Sequence, residues 1–162
     1  MGTLLEFELT HYLLQQGQKL PECLFISAYW APHISPSAPP IAQLPEERFV
    51  EELYRLGGIS EDVFRNKAFI KLLLPALRAD FTLSEAYQCL HREALPCPLY
   101  LLGGLDDRRI QREELLAWQE HTRYPCTVKF FPGDHFFLQS ARTDLVQAIC
   151  DILLPLIREK GE

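Results

Sequence analysis

The sequence has 162 residues, enough for one domain with a substantial core, and its 48% hydrophobic and 23% charged residues are ordinary for a globular chain. A net charge of −6 argues against nucleic-acid binding, which needs a basic stripe to neutralise phosphates. No apolar run is long enough to span a membrane, and Glu6, Glu8 and His11 interrupt residues 1–16 where a secretory leader would need an apolar centre.

In chain order, Leu4, Leu5, Leu9, Tyr12 and Leu13 recur at helical spacing, and Gly17 follows as a C-terminal cap. This helix has almost no lead-in, only Gly2 and Thr3 after Met1. Cys23 to Ala28 is a short continuous apolar run and reads as a buried parallel strand. A helix followed by such a strand is half of a βαβ unit, with the strand that should precede the helix absent. Residues 31–45 hold five prolines and form a loop. From Pro45 to about Leu90 the pattern is helical. Phe49, Val50, Leu53 and Leu56 make one face, ended by Gly57-Gly58; Ser60 caps a short helix; and Ala68 to Leu90 is a longer one that Pro75 must start, kink or break. Roughly fifty residues without a strand, between two strands, read either as a lid over a site or as ordinary crossover helices.

Leu99 to Leu102 is the second strand, running into Gly103-Gly104. Glu113 to His121 is the crossover helix, and Thr127 to Phe131 the third strand, ending at Pro132-Gly133. A final helix carries Leu145, Val146, Ile149, Ile152, Leu153 and Leu156, opened by Ser140 or Thr143, with Arg158 and Lys160 near its end. The sum is an α/β chain with about three parallel strands. The five cysteines (23, 89, 97, 126 and 150) show no metal-ligand spacing and read as buried free thiols, which fits a reducing cytoplasm.

Chemistry concentrates just past the second and third strands, the end of a parallel sheet where sites are built. Gly133-Asp134-His135 can project a histidine into a cleft, and a general base of this kind needs a carboxylate to fix its tautomer. Asp107, in the loop after the neighbouring strand about 4.8 Å away, is placed to supply it. On residues alone, Asp106 or Asp107 is equally readable as the cap of the following helix, and His135 as a loop residue.

GGLDD at 103–107, FPGDHFFL at 131–138, the APH of 31–33, ELYRLGG at 52–58 and LRADF at 77–81 stand in an order and spacing that resembles the type II thioesterases. These are stand-alone α/β-hydrolases accompanying polyketide and nonribosomal peptide synthetases. The resemblance implies the C-terminal part of an α/β-hydrolase fold: one partial domain over 1–162, with a helical lid insertion at 31–92. It implies hydrolysis of acyl thioesters on the phosphopantetheine arm of acyl or peptidyl carrier proteins, with no cofactor or metal of its own. The triad acid falls on Asp107, with Asp106 as the confusable neighbour, and the base on His135. Asp134 departs from the family's usual G-G-H. Phe49, Leu53, Phe69, Leu73 and Phe81 would contact the acyl chain, or else serve as lid packing.

In the family the nucleophile sits on a G-H-S-M-G elbow. Met1-Gly2 aligns with the M-G of that elbow, so the serine is expected to fall just before residue 1, and no G-x-S-x-G occurs within the chain. Ser27 lacks flanking glycines and reads as structural, and Cys97 and Cys126 precede their strands, at the wrong end of the sheet. Three expectations follow. This chain alone is inactive, because acid and base without nucleophile lose most of the constellation. A separate N-terminal half, or an upstream reading frame, supplies the serine; the alternative is a non-catalytic acyl- or carrier-protein-binding module. Finally, Leu4, Leu5, Phe7 and Phe25 should form an exposed apolar face.

Overall fold

A computed structural model describes residues 1–90 and 93–158. Three strands, β1 (Leu24–Ser27), β2 (Leu99–Gly104) and β3 (Thr127–Phe131), form one parallel sheet in the order β1-β2-β3. The helices are α1 (Gly2–Gln15), α2 (Glu46–Arg55), α3 (Glu61–Arg65), α4 (Lys67–Ala86), α5 (Arg112–Leu116), α6 (Phe137–Ser140) and α7 (Arg142–Arg158). Among the described residues, nothing pairs with the outer edge of β1.

Alternation along the strands sorts the core into two faces. Leu24, Ile26, Leu99 and Leu101 point to the side covered by α1 and α5, where Leu4, Phe7, Leu115 and Trp118 join them. Leu102 and Phe131 point to the other side, against Phe137, Leu145 and Ala148 of α6 and α7. The segment between β1 and β2 makes a third, separate core from Ile41, Phe49, Leu53, Ile70 and Leu74.

The expected apolar face is smaller than the sequence implied. Leu4 and Phe7 are fully packed within this chain, because the Leu4–Phe7–His11 stripe of α1 lies against the sheet and Phe7 meets Trp118 edge-on at 5.3 Å. Burying Phe7 in this way contributes about 2 kcal/mol. Leu5 is 59% exposed, and Phe25 is half-buried and stacked on Tyr100.

Other differences are local. The long helix runs without interruption through Pro75 and stops at Ala86, short of Leu90. Pro75 is tolerated because it and Lys71, whose carbonyl loses its donor, are both exposed, so water can take that bond. The crossover helix is α-helical only to Leu116 and tightens to a 3₁₀ turn over Ala117–His121. A short α6 precedes the last helix, which opens at Arg142. Ser60 does cap α3, its side chain accepting the Val63 N–H. The expected lid boundary at 92, and Lys160, lie outside the described residues.

Candidate active site

Sheet register brings two loops together. Gly104 aligns with Phe131, so the chains leaving β2 and β3 depart at the same level. They remain stitched beyond the strands: the Leu105 N–H donates to the Phe131 carbonyl and the Asp106 N–H to the Gly133 carbonyl, both at 2.9 Å. Glycine is required at both contacts. A Cβ on Gly104 would lie 2.2 Å from the Asp134 carbonyl oxygen, and Gly133 has φ +118° with Ser140 Oγ 2.4 Å from any Cβ.

The result is a bond between the two residues singled out above. His135 Nδ1 lies 2.9 Å from Asp107 Oδ2, and since a carboxylate only accepts, Nδ1 carries the proton and donates. The Asp107 side chain is 3% exposed, and its other oxygen accepts the N–H groups of Arg109 at 2.8 Å and Ile110 at 3.1 Å. Asp107 is thus the partner of His135 but not the cap of the following helix: Gln111 opens α5, and the second oxygen of Asp107 closes a turn over 107–110 instead. Asp106 is exposed and its side chain takes no part. Nε2 of His135 has no partner among the described residues, leaving it open to accept a proton. Asp134 faces outward, accepting the Phe136 N–H at 2.8 Å and lying against Gly57.

The pair sits between two hollows. A cavity of about 400 Å³ is lined by His135, the end of β1 (Ala28, Tyr29, Trp30) and helices α2 and α4. A smaller cleft, about 270 Å³, is charged, with Arg55, Asp106, Arg108 and Asp134 around Asp107 and His135. Ala28 has φ +44°, a strained conformation for a residue with a side chain, and it turns the chain so that Tyr29 and Trp30 wall the larger cavity. Burial pushes the Tyr29 phenol up, against the lowering effect of its 2.5 Å hydrogen bond with Ser84.

Of the five candidate acyl contacts, Leu53 and Phe81 line this cavity. Phe49 is wholly buried in the helical segment's own core, edge-on to Phe81 at 5.7 Å, so it supports the wall from behind. Phe69 is 42% exposed, and Leu73 is half-buried outside the lining. Sequence reading missed Tyr29, Trp30, Leu56, Leu77, Arg109 and Phe136. Tyr29 and Trp30 carried a readable signal, since they directly follow a strand end. Ser27 Oγ is buried with no partner and makes no bond to His135. All five cysteines are free, but of the expected buried thiols only Cys97 is buried and Cys150 is exposed; the described residues hold no group of three or more His, Cys, Asp or Glu side chains able to bind a metal.

The model of the thioesterase domain matches residues 1–153. The chain belongs to the thioesterase family. It is 35% identical over 160 residues to the gramicidin S biosynthesis protein GrsT of Aneurinibacillus migulanus, covering 99% of this chain and 62% of that protein. Two solved structures, each 34% identical, superpose closely. ClbQ from the colibactin NRPS/PKS pathway has a TM-score of 0.84, covering 93% of this chain and 64% of that one. The type II thioesterase BorB from the borrelidin biosynthetic cluster has a TM-score of 0.81, covering 92% and 60%. The recognition made from the motifs therefore holds: the kin of this thioesterase-family chain are the type II thioesterases of polyketide and nonribosomal peptide clusters, with an α/β-hydrolase fold. The chain spans about 60% of the length of each of these three proteins. Among the described residues, no helix is long and apolar enough to cross a membrane.

Proposed function

We propose that the chain is the acid–base part of a serine thioesterase that removes acyl groups from the phosphopantetheine arm of acyl or peptidyl carrier proteins. The observation carrying this reading is the Nδ1–H···Oδ2 bond between His135 and the buried Asp107, with Nε2 left open. In this reading Nε2 takes the proton of a serine hydroxyl as its oxygen attacks the thioester carbonyl. The resulting imidazolium, stabilised by Asp107, then protonates the departing thiolate sulfur. A water activated by the same nitrogen completes hydrolysis of the acyl-enzyme. The helical segment between β1 and β2 acts as the lid, with Leu53 and Phe81 on the acyl chain.

In this reading the nucleophile lies outside these 162 residues, which is supported by the lack of any G-x-S-x-G in the sequence and of any serine hydroxyl bonded to His135 among the described residues. The test supplies what is missing. The portion of GrsT that this chain does not match is fused to it, and hydrolysis of an acyl-carrier protein is measured. The fusion is expected to turn over, with His135→Ala losing about 10⁶-fold and Asp107→Ala about 10⁴-fold in kcat. A folded, active fusion indifferent to His135→Ala would refute the assignment. A non-catalytic carrier- or acyl-binding module is the second reading, favoured by the cavity standing ready beside a pair that lacks its nucleophile. It is supported instead if the fusion folds, binds carrier protein and releases nothing.

A further inference from the structure

Helix α4 is apolar on two sides. Ile70 and Leu74 are buried on its inner side, with Leu77 and Phe81 packed beside them in the core of the helical segment. Phe69, Leu72, Ala76, Ala79, Leu83 and Ala86 occupy the opposite side, and all six are exposed. The large ones stand well clear of the chain, with Phe69 at 42%, Leu72 at 74% and Leu83 at 58% exposure. A helix needs one apolar stripe to join a core, and the inner stripe already serves. The outer six recur at alternating steps of three and four residues, which is the a/d repeat of a coiled-coil seam. No charged residue interrupts this seam; Lys71 and Asp80 lie on its flanks. Phe69, expected to contact an acyl chain, belongs to this outer seam and is absent from the cavity lining.

We propose that the seam binds a second copy of this chain, the two α4 helices packing antiparallel about a two-fold axis. The order of residues along it selects that occupant. Reversing one helix about the point midway between Leu77 and Arg78 sets Phe69 against the partner's Ala86, Leu72 against the partner's Leu83 and Ala76 against the partner's Ala79. A ring meets a methyl group, leucine meets leucine, and the central alanines let the helix axes approach to about 8 Å. A two-fold interface uses one patch twice, so a patch complementary to its own reverse is what a homodimer requires. Contact along about 30 Å of helix covers on the order of 400 Å² per copy. That is about half of what a stable interface buries, which places the pair among weak, reversible dimers. Leu77, Phe81 and Ser84 of the same helix line the cavity beside His135, so the second copy braces the back of that wall. The dimer is independent of the thioesterase reading, since it uses neither Asp107 nor His135.

The test is sedimentation velocity of the purified chain across a concentration series. A monomer–dimer equilibrium with a Kd on the order of 10–100 µM is expected. Leu72→Lys and Leu83→Glu, made singly, should each weaken association about tenfold or more. Both positions are exposed in the monomer, so neither change should alter its melting. Combined in one chain they should restore the dimer, because each lysine then faces the partner's glutamate, whereas within one chain the two lie eleven residues apart. Leu9→Glu, on the outer side of α1 at 57% exposure, is the control for any other apolar face and should leave the equilibrium unchanged. A wild type that stays monomeric up to about 300 µM overturns the proposal. So does a dimer that survives Leu72→Lys, or one that only Leu9→Glu dissolves. Failure of the double variant to re-form the dimer, with both single variants melting cooperatively, refutes the antiparallel pairing. A monomeric wild type whose binding to an acyl carrier protein is lost in Leu72→Lys gives the face to the carrier protein and sinks the dimer.

Discussion

The loops after β2 and β3 and the helical segment between β1 and β2 face each other across one cavity, yet they are held by different means. The loops are fixed by backbone: two cross-loop hydrogen bonds, a glycine where any Cβ would run into a carbonyl oxygen, and a carboxylate with both oxygens occupied. The helical segment is fixed by side chains reaching across it. Arg78 donates to the carbonyls of Ala42 and Leu44, Glu85 accepts from Ile41 and Ala42, Tyr29 meets Ser84, and Tyr87 donates to Glu8 of α1. A backbone-built site positions Asp107 and His135 with little tolerance. A side-chain-tethered cover can be altered piece by piece without disturbing them.

The largest effect should come from Gly104→Ala. Its Cβ would sit 2.2 Å from one backbone oxygen and 2.7 Å from another, so the loops must part. A loss of about 3 kcal/mol in urea unfolding is expected, with the His135–Asp107 bond weakened, visible as loss of a downfield Nδ1 proton by NMR. Glu85→Gln should cost about 2 kcal/mol, because one buried N–H of the Ile41–Ala42 pair loses its acceptor. Its signature is confined: hydrogen exchange should quicken at Ile41 and Ala42 while β2 and β3 keep their protection. Equal loss across the sheet would contradict the separation drawn between the two regions.

A milder effect comes from the far end of the sheet. Burial pushes the Cys97 thiol up to about 11 and raises Cys23 and Cys126 as well. Unfolded thiols release their protons near pH 9 while folded Cys97 keeps its own to about 11, so the folded state holds more protons in that window. Stability should therefore fall as pH rises from 9 to 11, seen as a declining urea midpoint, and the decline should shrink in Cys97→Ala. The smallest effect is Asp134→Asn. The amide oxygen can still accept the Phe136 N–H at this exposed position, so stability should change by less than about 0.5 kcal/mol.

The same contrast decides what could be read in advance. Gly103-Gly104, Asp107 and Gly133-Asp134-His135 are local signals tied to strand ends, and the parallel register then leaves their meeting little freedom. Strand positions and the cap at Ser60 were legible for the same reason. The wall of the cavity was not. Phe49, Leu53 and Phe81 share one apolar pattern, and only tertiary packing turns Phe49 inward and leaves Leu53 and Phe81 on the cavity. Arg109 carried no local signal, because its partners, Trp30, Phe81 and Glu85, are distant in sequence. Pro75 neither starts nor ends the helix, since its cost depends on whether water reaches the carbonyl it frees, which no local pattern records. The burial of Phe7 depends on Trp118, more than a hundred residues away.

The central claim is that Asp107 and His135 form an acid–base pair whose nucleophile lies outside these 162 residues. The most direct measurement follows release of thiol from a short acyl-N-acetylcysteamine thioester by the purified chain, wild type and His135→Ala side by side. Both progress curves should superimpose on the buffer blank. Wild-type turnover above the blank that vanishes in His135→Ala would contradict the claim, because it would mean the chain already contains its nucleophile.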